Sequence, residues 1–129
     1  MVALVSTVGS RSVQLQGGGT IRTVCLKAFM DPDLTVEATT IDWGLMNPGD
    51  NSSVMLYLKS TSTVPVVLTF STENWMPSSA QPFFTVIWDY DHQSLNPNQV
   101  IPITFTLHVS ENVTGVTTFR FDLIITIYG

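Results

Sequence analysis

The sequence predicts an all-β fold, an immunoglobulin-like sandwich of about seven antiparallel strands preceded by an N-terminal extra strand or arm. Three observations predict it. Apolar residues recur with period two from end to end, the side-chain period of a strand rather than of a helix. Turn residues punctuate these stretches at Asp31-Pro32-Asp33, Asn47-Pro48-Gly49-Asp50, Pro77-Ser78-Ser79, Asn96-Pro97-Asn98 and Gly115. A length of 129 residues suffices for one core and not for two.

Taken in order, Met1 to Val8 is apolar and is followed by Gly9, Ser10 and Arg11. It has two readings: the tail of a secretory segment, with Val8 and Ser10 as small residues before a cleavage point, or an ordinary first strand. Ser12 to Gln16 is a short alternating strand with Val13 and Leu15 on one face. The run Gly17-Gly18-Gly19 then reads as a flexible hinge. Residues 1–19 are thus expected to form an arm and hinge, and residues 20–129 the sandwich. Thr20 to Phe29 and Thr35 to Trp43 supply two strands around the Asp31–Asp33 turn. Val54, Leu56 and Leu58 alternate with Met55, Tyr57 and Lys59, and Val66, Leu68 and Phe70 with Val67, Thr69 and Ser71. Those two stretches, joined at Ser60 to Thr63, are expected to pair as a hairpin. Phe83 to Asp89 places Phe84, Val86 and Trp88 on one face. The clearest alternation comes last: Ile101, Ile103, Phe105, Leu107 and Val109, then Phe119, Phe121, Leu123, Ile125 and Ile127, all expected in the core. No helix is evident, and Trp43 and Trp75 are expected to close the ends of the core.

Charged residues make up 12% of the chain, about half of the roughly 25% usual for globular proteins. A polar but weakly charged surface is common outside cells. The net charge of −5, with Arg11, Arg22, Lys27, Lys59 and Arg120 scattered singly, offers no footprint for a phosphate backbone, so no nucleic acid partner is expected. The single cysteine, Cys25, excludes an intrachain disulfide and metal–thiolate clusters, and its apolar strand marks it as a small core residue. No stretch reaches the ~18 apolar residues of a membrane span.

Candidate chemistry is sparse. A hydrolase needs a nucleophile, a base and an orienting group, and His92 and His108 are the only histidines, in a loop and on a polar strand face. A copper site of the cupredoxin kind needs a Cys-His-Met cluster late in the chain, whereas Cys25 is early. Asp31 with Asp33, and Asp89 with Asp91, are loop pairs of the type calcium favours, but two ligands do not make a site. No cofactor, metal or catalytic residue is expected. Asn51-Ser52-Ser53 and Asn112-Val113-Thr114 match the acceptor pattern for N-linked glycans.

By Trp75 the chain has presented Ile41-Asp42-Trp43-Gly44, Asn47-Pro48-Gly49, Val54 to Lys59 and Thr63-Val64-Pro65-Val66-Val67-Leu68. This order resembles immunoglobulin-like modules of the Hydin and ASPM/SPD-2 type. It is similar also to secreted archaeal β-sandwich proteins that carry comparable stretches around Ser71 to Trp75, Thr85 to Asp89 and Gly115 to Thr126. The resemblance covers residues 19 to 129 and implies a fold and a compartment, extracellular or cell surface. Where such proteins often read Asn-x-Gly between two strands, this chain departs with Ser60-Thr61-Ser62.

Two functions fit this pattern. One is a structural subunit whose partners are copies of itself, a surface filament in which the arm (Val13, Leu15, hinge Gly17 to Gly19) is donated to the next copy. Outward Met55, Tyr57, Val67, Ile124 and Tyr128 would add lateral contacts. The other is a monomeric surface or adhesion module that binds a glycan or protein ligand through Trp75, Trp88, Tyr90 and His92.

Overall fold

The chain was analysed as a computed structural model, which describes residues 15–23 and 25–129. Among these residues eight strands follow one another: β1 (Leu15–Thr23), β2 (Leu26–Phe29), β3 (Thr40–Met46), β4 (Asn51–Ser60), β5 (Val67–Met76), β6 (Phe84–Trp88), β7 (Val100–Val109) and β8 (Thr118–Tyr128). They form two four-stranded sheets, β3-β1-β8-β5 and β2-β4-β7-β6, packed face to face as a β-sandwich. A short 3-10 helix, Ser78–Phe83, joins β5 to β6.

The inward residues are those the alternation marks. Phe105, Leu107, Phe119, Phe121, Leu123 and Ile125 are all buried, as are Leu56, Leu58 and Leu68. Pairing follows a different plan from the expected one. β4 and β5 are not a hairpin: β4 pairs with β2 and β7 in one sheet, and β5 pairs with β8 in the other. The chain crosses between sheets after Ser60, whose N–H donates to the Gln99 carbonyl and whose carbonyl accepts from Asn98. Thr61 N–H meanwhile donates to the Cys25 carbonyl, so the end of β4 is fixed on both sides before the crossing. Nor are all pairs antiparallel, because β1 runs parallel to β8 while it runs antiparallel to β3.

The expected strand from Thr20 to Phe29 is two strands in opposite sheets. Between them Cys25 adopts φ 52, the left-handed region that redirects the chain, and its side chain is exposed rather than in the core. The glycine run also departs from expectation. Gly17 to Gly19 lie inside β1, paired with β3 on one side and β8 on the other, so they form a central strand and not a hinge. Their lack of side chains has a packing reason. A Cβ on Gly17 would fall 2.0 Å from Cζ of the Phe119 ring, and one on Gly19 would fall 2.6 Å from the Phe121 carbonyl oxygen. The Phe119 ring fills the space that a side chain at Gly17 would claim.

Two irregularities keep large side chains inward. Along β1 and β3 the register moves from Gly17↔Gly44 to Gly18↔Asp42, so Trp43 is an extra residue on β3. Gly44 takes φ 78 there, and its N–H donates to Asp42 Oδ1 at 2.9 Å. The phase slips by one, and Ile41, Trp43 and Met46 all face the core while Leu45 is left 64% exposed. On β5, Asn74 at φ 57 does the same for Trp75. Trp43 and Trp75 therefore both reach Phe121, with ring centroids 6.1 and 4.2 Å away and planes within 19° of parallel.

These contacts make specific demands on stability. Phe121→Ala should cost roughly 3–5 kcal/mol in denaturant melts, because it empties the space between two indoles. Gly19→Ala drives a methyl into backbone and is expected to cost about 1–3 kcal/mol, more than Gly18→Ala, whose nearest neighbour is the Ile41 carbonyl at 3.4 Å. Equal effects at the two glycines would contradict the close approach at Gly19.

Candidate interaction site

Each sheet ends in two edge strands, and the sequence protects them unequally. β2 is only four residues long and carries Lys27. β3 carries Asp42 and the kink at Gly44. Short length, charge and bulges are the usual means of preventing a strand edge from pairing with another chain. β5 runs for ten residues with Glu73 as its single charge and a bulge of its own at Asn74, so that its regular part is Val67 to Glu73, and β6 has no charge at all in Phe84-Thr85-Val86-Ile87-Trp88. These two less protected edges belong to opposite sheets and lie on the same side of the sandwich.

Between them is a cleft of about 580 Å³ bordered by Phe70, Thr72, Trp75, Gln81, Pro82 and Val86. Phe70 and Val86 pack against the core yet stay only half-buried. Both ends of the cleft are closed. At one end Leu68 N–H donates to the Tyr90 hydroxyl at 3.2 Å, that hydroxyl donates to the Gln93 carbonyl, and Val66 pairs with Leu95. The 3-10 helix closes the other. In an antiparallel ladder successive residues point their N–H and C=O groups to opposite sides. Phe70 and Thr72 share the parity of Leu68, so their main-chain groups face away from β8 and into the opening between these two closures.

A second depression, of about 950 Å³, lies on the outer face of the first sheet over Gly17 to Gly19. On its rim Asp122 Oδ2 accepts from Asn74 Nδ2, also of the rim, and from Arg22 Nη2 beside it. An exposed pair of this kind contributes at most about 1 kcal/mol.

The residues expected to act are distributed as follows. Leu15 is fully buried in its own domain and Gly17 to Gly19 are in β1, so none of these four belongs to a free arm. Val13, with the rest of residues 1–14, lies outside the described residues. Met55 (48% exposed) and half-buried Tyr57 stand on the outer face of β4. Tyr90 is a correction: it is only 7% exposed, and its hydroxyl ties β5 to the following loop instead of facing a ligand. Trp75 is likewise buried, which leaves exposed His92, with its ring edge toward Tyr90, as the outermost of those four loop contacts. Asn51 and Asn112 are both exposed, Asn51 with its Oδ1 on His108 Nδ1 at 2.6 Å. The long crossing after Ser60 and the tyrosine tie had no signal in residue spacing, since both depend on partners far along the chain.

Three of the four aspartates of the loop pairs accept hydrogen bonds. Asp31 accepts from the N–H groups of Thr35 and Val36 and from the Thr35 hydroxyl. Asp89 accepts from Thr104 N–H, and Asp91 from Gln93 N–H. The Thr35 hydroxyl, followed by the Val36 N–H, holds the Asp31 carboxyl below its ordinary value. Its contribution to loop order is therefore present above about pH 4 and lost as the pH falls through the lowered value. The Thr35 and Val36 amide resonances should move on acidification of the native protein and lose that dependence in Asp31→Ala. Because Asp31, Asp89 and Asp91 already accept protein hydrogen bonds, and no three His, Cys, Asp or Glu residues converge among the described residues, EDTA is expected to leave the melting temperature unchanged; a drop of several degrees reversed by calcium would overturn this. No protein-family model matches the chain, and no characterised protein matches it significantly, so function has to be read from this geometry.

Proposed function

We propose that this chain is a non-enzymatic structural protein of the cell surface, a subunit that assembles with copies of itself through a donated N-terminal strand. One observation carries this: the ten-residue β5 edge, with neither proline nor lysine, faces a second uncharged edge across a cleft where Phe70, Trp75 and Val86 stand among the polar Ser71, Thr72 and Gln81. An edge of that kind is a template for main-chain pairing. Residues 1–14 have the composition of a complement, with Arg11 as their only charge, no proline, and valine or leucine at positions 2, 4, 5, 8 and 13. Met55, Tyr57, Val67 and Tyr128, all on outer sheet faces, would supply lateral contacts between subunits. The immunoglobulin-like resemblance to secreted archaeal sandwich proteins and the exposed acceptors Asn51 and Asn112 support an extracellular, glycosylated setting. Against an enzyme, His108 Nδ1 is held by Asn51 and not by a carboxylate. The alternative, a ligand-binding module, has little support because Trp75 and Tyr90, two of its contact residues, are buried.

Deleting residues 1–14 tests the proposal, with the cut placed before Leu15 so that the core is untouched. The full chain should scatter light as an assembly, and the shortened chain as a monomer with a melting temperature within a few degrees. A full chain that is monomeric at every concentration would overturn it.

A further inference from the structure

We infer that the acceptor for the donated strand is the open part of the β5 edge, from Phe70 to Trp75, and that residues 2–8 of a second copy enter it antiparallel to β5. This rests on the assembly reading above and adds the site, the segment and the direction. The Leu68 end of the edge is already occupied by Tyr90 and the bridge of Val66 to Leu95, and the 3-10 helix bounds the other end. Among the described residues, what remains open is the stretch whose main-chain groups at Phe70 and Thr72 point outward and whose neighbours Phe70 and Val86 are half-buried. An entering strand would pair with those groups and place alternate side chains over Phe70 and Val86. Val2-Ala3-Leu4-Val5-Ser6-Thr7-Val8 suits this: it is uncharged, rich in β-branched residues and without proline.

Topology argues that the strand comes from another copy. β1 is parallel to β8, and β8 is antiparallel to β5, so a chain folding back from Leu15 would run parallel to β5. It would also have to cross beneath β8 and β5, three strand spacings or about 14 Å, before any pairing began. At roughly 3.3 Å per residue this consumes at least four residues, and it ends in the less stable parallel arrangement. A second copy has neither constraint and can approach antiparallel. Because donor and acceptor are different surfaces, the contact is head to tail and can repeat.

The test uses the full chain with the photo-crosslinker benzoylphenylalanine in place of Leu4, followed by peptide mapping of the products. Crosslinked dimers and longer ladders joined to the segment between residues 67 and 88 are expected. Crosslinks confined to single chains would overturn the inference in favour of a self-folded arm. Ladders joined to another surface would overturn the acceptor site while leaving self-assembly intact, whereas a chain that is monomeric throughout would remove both. An independent arm is Val86→Lys, which puts a charge into the cleft without touching the arm. It should lower the assembled fraction about tenfold, with Thr85→Lys on the outer face of the same strand as the control. Assembly unaffected by Val86→Lys in a folded chain would also overturn the site.

Discussion

Phe121 can lie between Trp43 and Trp75 only because β1 passes beside β8 without side chains at Gly17 and Gly19. That close approach is made within the parallel pairing of β1 and β8, the central pair of the first sheet. The bulge at Gly44 is its counterpart on the other flank. It lets Trp43 turn inward opposite the glycines, where the indole N–H has no hydrogen-bond partner among the described residues and Nε1 lies 3.9 Å from the position of a Cβ on Gly19. An unpaired buried donor of this sort costs on the order of 1–3 kcal/mol, which stacking and apolar burial of the indole must outweigh.

The same constraint determines which edges are left. With β1 and β8 central, the first sheet ends at β3 and β5, and the second at β2 and β6. β3 and β2 are blunted by a bulge, a charge or short length. On the opposite side the β5 and β6 edges face each other, and the described residues cover only part of that opening. A tyrosine hydroxyl satisfies Leu68, a bridge satisfies Val66, and a short 3-10 helix covers the far end. The second aromatic group, Phe70 with Trp88 at 4.7 Å and Trp88 with Phe105 at 5.6 Å, forms the wall behind the part left open. Core packing and the candidate interaction site are thus continuous, and a partner strand would extend the core instead of merely touching a surface.

The sequence by itself determined which residues face inward wherever a strand is regular, because alternation is a local property; it misplaced Cys25, where the chain turns from one sheet to the other. Phe105, Leu107, Phe119, Phe121 and Leu123 are buried as that pattern requires. It likewise indicated two-sheet architecture and the turns at Asn47–Asp50 and Asn96–Asn98. It could not determine partners. A strand that alternates is equally able to pair with the next strand or with one sixty residues away, which is why β4 and β5, adjacent in sequence, sit in opposite sheets. Three consecutive glycines have two physical uses, freedom of the backbone and closeness of approach. Only the position of Phe119 and the Phe121 carbonyl over β1 decides for the second. Tyr90 was legible as an aromatic residue in a loop, but whether its ring meets solvent or the core depends on where Leu68 and Gln93 lie in space. Local alternation sets the faces of the strands; long-range pairing and close packing, which no short stretch of sequence contains, set the sheets, the edges and the cleft.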